Sequence, residues 1–96
     1  MIKTIPDAAR AVTPSNTSYI TNNNGNTSFG TLYVGVAGNL NVLPFAHANT
    51  DDATSTGVAG GAVLYTNVPV GFFPIQVKKV FATGTTASGI ICQFDN

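Results

Sequence analysis

The chain has 96 residues, a formal net charge of zero and 8 % charged side chains, against about 25 % in an ordinary soluble domain. That length is one domain with a small core. The lack of a basic stripe speaks against a nucleic-acid binder, the 44 % apolar content against a disordered chain, and the lack of a long apolar run against a membrane span.

Residues 1–18 contain Pro6 and Pro14 and keep no sustained period. "DAAR" could make one helical turn, but nothing continues it. The segment reads as an extended arm preceding one β domain over 19–96. "MIKTIPDAAR" has no apolar signal core, so synthesis in a cytoplasm is expected. A short strand is predicted around Thr17–Thr21, before a turn-rich stretch marked by Asn24-Gly25.

The clear alternation begins at Thr31. "TLYVGV" sets Leu32, Val34 and Val36 on one face, and "LNVLPF" reads as the second arm of a hairpin. Pro44 cannot donate to a ladder, so that arm should reach an edge or end there. "AHANTDDATSTGVAGG" is a loop of some sixteen residues, long for so small a domain. "AVLYTNVP" is the next strand, "FFPIQVKKVFAT" the longest, "GTTASG" a tight hairpin loop, and "IICQF" the last strand. No window supports a useful helix. The predicted fold is all-β, a small antiparallel sandwich or barrel of five to six strands.

Lys78 and Lys79 are adjacent on the longest strand, where neighbours point to opposite faces. A β-bulge there would put both lysines on one side and return Val80 and Ala82 to the face of Ile75 and Val77, with Phe81 outward. The competing reading is a Lys79 that snorkels at a sheet end. Either way both charges must be wet or paired.

Several strands are apolar on both faces. Tyr33 lies opposite Leu32 and Val34, Val63 and Tyr65 opposite Ala62 and Leu64, and Ile91 opposite Ile90 and Cys92. A water-facing antiparallel sheet should alternate apolar-in with polar-out. With so little chain to cover both faces, an intersubunit surface is the favoured explanation. Near-neutral surfaces also promote association.

No catalytic set emerges. His47 has Asp51 and Asp52 near it but only within one loop, and it reads as a solvated histidine. "NTDDATST" is rich in oxygen but lacks the spacing of a calcium loop. Cys92 alternates into the apolar face as a small hydrophobe. "GTTASG" has no phosphate-loop ending, and its hydroxyls should satisfy backbone groups. No enzyme, cofactor or metal is expected.

Three segments in order, "ARAVTPSNTS" (9–18), "LYVGVAGNLNV" (32–42) and "VPVGFFPIQVKKVFATGTTASGII" (68–91), carry a likeness. Together they resemble the small head-spike-base and capsid decoration proteins of tailed bacteriophages and gene transfer agents. "TNNNGNTSF" and the sixteen-residue loop depart from that family's pattern as divergent loops. The resemblance implies a virion structural protein on the capsid exterior, at a vertex as a spike base or across the shell as cement. Implied partners are the chain itself, as a homotrimer or homopentamer, the major capsid protein, and a spike or fibre protein. Candidate interface residues are Arg10, Lys78 and Lys79 for polar contacts, and Tyr33, Tyr65 and Phe81 for apolar ones. A small receptor- or carbohydrate-binding module of a fibre is the alternative, and would need a groove lined by exposed aromatics.

Overall fold

A computed structural model describes residues 8–21, 30–54 and 60–94. The Asn24-Gly25 turn lies outside the described residues. Six strands form: β1 (Ala8–Ala11), β2 (Gly30–Val34), β3 (Gly38–Pro44), β4 (Val63–Val68), β5 (Gly71–Val80) and β6 (Ile91–Phe94). They make one antiparallel sheet in the order β1-β6-β2-β5-β3-β4. The all-β antiparallel expectation holds.

The pairing differs from the expected hairpin. β2 and β3 are consecutive in sequence, yet β5 lies between them. At ten residues, β5 is long enough to serve both. Its first part pairs with β2, from Val34↔Gly71 to Gly30↔Val77, and its last part with β3, from Pro44↔Val77 to Val42↔Val80. Beyond the end of β2, the carbonyls of Lys78 and Val80 accept from the amides of Ile20 and Ser15. Thus the stretch predicted as a strand at Thr17–Thr21 is irregular backbone held to β5, while "AARA", read as part of an extended arm, is the edge strand β1 on β6. The described part of the arm belongs to the molecule's own sheet.

Alternation places the core. Leu32 and Val34 of β2, Leu40 and Val42 of β3, Phe73, Val77 and Val80 of β5, and Cys92 and Phe94 of β6 share one buried cluster. Tyr65 of β4 packs edge-to-face on Phe73, with centroids 4.7 Å apart, although β3 separates their strands. The sheet therefore curls around its apolar face. Ala8 and Val12 close the other end. Val36 was expected to share the face of Leu32 and Val34, but it lies past the end of β2 and is exposed.

Gly30 marks the tightest approach between strands. A Cβ there would sit 2.2 Å from the Gln93 carbonyl oxygen and 2.7 Å from Cys92 Sγ. Only a bare backbone fits, and the β2–β5 register shifts between Gly30 and Leu32.

"GTTASG" does not close a hairpin, because β2 lies between β5 and β6. The segment 81–90 instead runs back past β3. Its Thr85 and Thr86 hydroxyls accept from the amides of Asn41 (3.0 Å) and Asn39 (2.8 Å). Those hydroxyls satisfy backbone groups, as expected, but across a crossover connection.

Candidate functional site

The lysine pair sits on a real irregularity. The register passes from Pro44↔Val77 to Leu43↔Lys79, so β5 spends two residues where β3 spends one. That extra residue is Lys78. Val77 and Val80 then both enter the main core, and both lysines turn to the other side. Such a bulge bends the strand and re-aims side chains.

Neither lysine is wet, however. The Lys79 side chain is 0 % exposed. Its ammonium donates to the carbonyls of Asn16 (2.9 Å) and Thr50 (2.6 Å) and to Asp51 Oδ1 (2.7 Å). It also lies 4.1 Å from the Tyr19 ring centroid and 5.0 Å from that of Phe81. Three acceptors match its three N–H groups, and the rings add attraction where water is absent. Lys78 donates to the carbonyl of His47. Two lysines thus fasten the segment 47–51 and the segment 16–19 to β5.

Phe81 is the companion correction. It is buried with Leu43, Ala53, Ala62 and Tyr19 in a second, smaller cluster on the opposite side of the sheet from the main core. The long loop folds back there, and its residues 55–59 lie outside the described residues. His47 is half-buried rather than solvated, and its Nδ1 donates to the Gly61 carbonyl at 2.7 Å. Asp51 is committed to Lys79. Asp52 Oδ1 accepts from the Thr54 hydroxyl (2.6 Å) and amide (3.0 Å). Those bonds, the hydroxyl's first, hold its carboxyl below the ordinary 3.8. Among the described residues no cluster of three or more His, Cys, Asp or Glu side chains could hold a metal.

The other half of that outer side is at least partly exposed along its whole row. Residues directly opposite each other in neighbouring strands share a face. Ala11 faces Ile91, Ile91 faces Tyr33, and Tyr33 faces Phe72. One apolar row therefore crosses β1, β6, β2 and β5, about 14 Å at ordinary strand spacing. Phe72 is 72 % exposed and Ile91 37 %. Tyr33 stacks edge-on against Phe72 at 5.3 Å. The next row, Ala9, Gln93 and Thr31, is uncharged as well. Where a solvated sheet would carry charges, these two rows carry none.

The six residues singled out in the sequence therefore part company. Tyr33 stays on the open face. Tyr65 turns inward onto Phe73, and Lys78, Lys79 and Phe81 serve the interior. Of those four, Lys78, Lys79 and Phe81 are buried and Tyr65 is half-buried. Arg10 lies opposite Cys92, on the reverse side from the Tyr33 row. It binds Thr21 through the hydroxyl (2.8 Å) and carbonyl (3.3 Å). Ile91 lies outward as its alternation with Cys92 predicts, and Phe72, not singled out from the sequence, is exposed beside buried Phe73.

Cys92 is buried, and burial pushes its thiol from 9.0 up to about 11. At pH 8 a shift of that size leaves about 100-fold less thiolate than in the unfolded chain. Alkylation of the native protein should be slower than that of the urea-unfolded chain by at least that factor. The fold holds the neutral thiol, so its contribution to stability is full below pH 9 and declines as pH rises from about 9 toward 11.

The fold and its surface define a class only: a small all-β protein with a curled six-stranded antiparallel sheet and one uncharged apolar face. No protein-family model matches the chain, and no curated protein matches it either.

Proposed function

We propose that this chain is a virion structural protein of a tailed bacteriophage. It would be a spike base or cement subunit that assembles as a symmetric homo-oligomer on the major capsid protein. The observation that carries the reading is the open row Ala11–Ile91–Tyr33–Phe72, a four-strand apolar face on a chain of zero net charge. Contiguous exposed apolar surface on a small protein marks association. The likeness of 9–18, 32–42 and 68–91 to head-spike-base proteins supplies the kind of assembly. The internal use of Lys78 and Lys79 fits a subunit whose strength lies in packing and which spends its few charges on holding its own loops.

The test is protein mass spectrometry of purified phage particles, together with binding of the isolated chain to capsids lacking it. The chain should appear in stoichiometric amounts beside the major capsid protein. Phe72→Lys, which sets a charge in the middle of the open face, should weaken capsid binding at least tenfold while leaving the melting temperature nearly unchanged. A chain absent from particles, or a Phe72→Lys variant that binds like wild type, overturns the proposal.

A further inference from the structure

The two edges of the sheet are guarded differently. β1 carries Arg10 within its four residues. β4 reads Val-Leu-Tyr-Thr-Asn-Val, without a charge or a proline. β3 pairs with one side of β4, and among the described residues no strand pairs with the other. Exposed edges of natural sheets are ordinarily blunted by charge, proline or a bulge, because an open row of N–H and C=O groups recruits another strand. The irregular part of β4 lies at its far end, where Asn67 is left-handed (φ 56°) and the register shifts between the Leu40 and Gly38 pairs. The stretch Val63–Tyr65 keeps regular pairing with β3, and Leu64 on it is 40 % exposed.

We infer that β4 pairs antiparallel with β4 of a second copy, about a two-fold axis through Leu64. The register follows from side-chain alternation. A slip of one residue would turn one sheet over relative to the other, so the axis passes through a residue and not between two. Centred on Leu64, the pair sets Leu64 against Leu64 and Val63 against Tyr65. Centred on Tyr65, it sets Val63 against Asn67, whose left-handed backbone interrupts a ladder.

The occupant is a copy of this chain because neither the strand nor the whole molecule offers net charge for an acidic or basic partner to recognise. A copy meets no like-charge repulsion there, and apolar cross-strand pairs add to the backbone bonds. This pairing rests on the self-association part of the proposed function and not on the virion. A two-fold pair cannot close an odd-numbered ring; on a shell it joins copies of adjacent rings.

The test introduces Leu64→Cys into the full chain, with Phe72→Cys in a parallel sample. Opposed residues of an antiparallel pair stand about 4.5–5.5 Å apart at Cα, within disulfide reach, and Cys92 is buried. Mild oxidation should convert most Leu64→Cys chains to a disulfide dimer on non-reducing gels, and far less of Phe72→Cys. Light scattering of the wild type should show a concentration-dependent dimer. Leu64→Lys, which opposes two ammonium groups, should weaken it at least tenfold without changing the circular dichroism spectrum. A wild type that stays monomeric at hundreds of micromolar, or cross-linking through Phe72 in place of Leu64, overturns the inference. Absence of the chain from particles overturns the virion role alone.

Discussion

Replacing Lys79 with alanine is expected to destabilise the fold by about 3–5 kcal/mol, because two carbonyl acceptors lose their donor at about 1–3 kcal/mol each and the buried stem is removed. In a domain of this size that lowers the melting temperature by well over 10 °C, at roughly 4–8 °C per kcal/mol. The ammonium reaches two backbone carbonyls, one carboxylate and two aromatic faces. Its loss leaves the Asn16 and Thr50 carbonyls without that donor and unfastens two chain segments from β5. Asp51→Ala is a different case. Its carboxylate is 63 % exposed, so water replaces most of what it loses, and the cost should stay at about 1 kcal/mol or below. Lys79→Met keeps much of the buried stem and should fall between the two. Urea titrations of the three variants give the order directly. Equal losses for Lys79→Ala and Asp51→Ala would mean that the ion pair, and not the carbonyls and rings, holds the loop.

Phe81→Ala and Phe72→Ala should differ sharply although one phenylalanine lies near the start of the same long strand that the other follows. Phe81 is fully buried with Leu43, Ala53, Ala62 and Tyr19. Its removal opens a cavity in a cluster too small to collapse well, at a cost of about 3–5 kcal/mol. Phe72 is mostly open to water, and its truncation should stay within about 0.5 kcal/mol, as surface changes do. The second variant is therefore the one in which binding can be read apart from folding. Thermal melts of both variants measure the contrast. A Phe72→Ala loss approaching that of Phe81→Ala would mean the outer row is structural.

The strands from Thr31 onward were legible because alternation at period two records which face is buried. Leu32 and Val34 against Tyr33, and Cys92 against Ile91, read correctly from spacing alone. The bulge was legible too, since Val77 and Val80 can share a core only if one residue between them is extra. β1 was not legible. "AARA" has small side chains and one charge, and its strand state comes from the free edge of β6. The hairpin of "TLYVGV" with "LNVLPF" failed for a related reason. Short connections favour pairing of neighbours, but β5 is long enough to bond both strands and enters between them.

Composition and alternation by themselves determined an antiparallel all-β domain, a main core drawn from one face of its strands, and a bulge at the lysine pair. The physical reason is local: which residues prefer extended backbone, and which side of a strand is apolar, are properties of adjacent residues. Only the tertiary structure decided which apolar outer residues are covered. Phe81 and Lys79 lie under a loop and a chain segment that come from far away in sequence, whereas Phe72 stays mostly exposed and Tyr33 and Ile91 partly so. Burial of an outward side chain depends on where a distant segment lands, and no spacing rule along one strand contains that information.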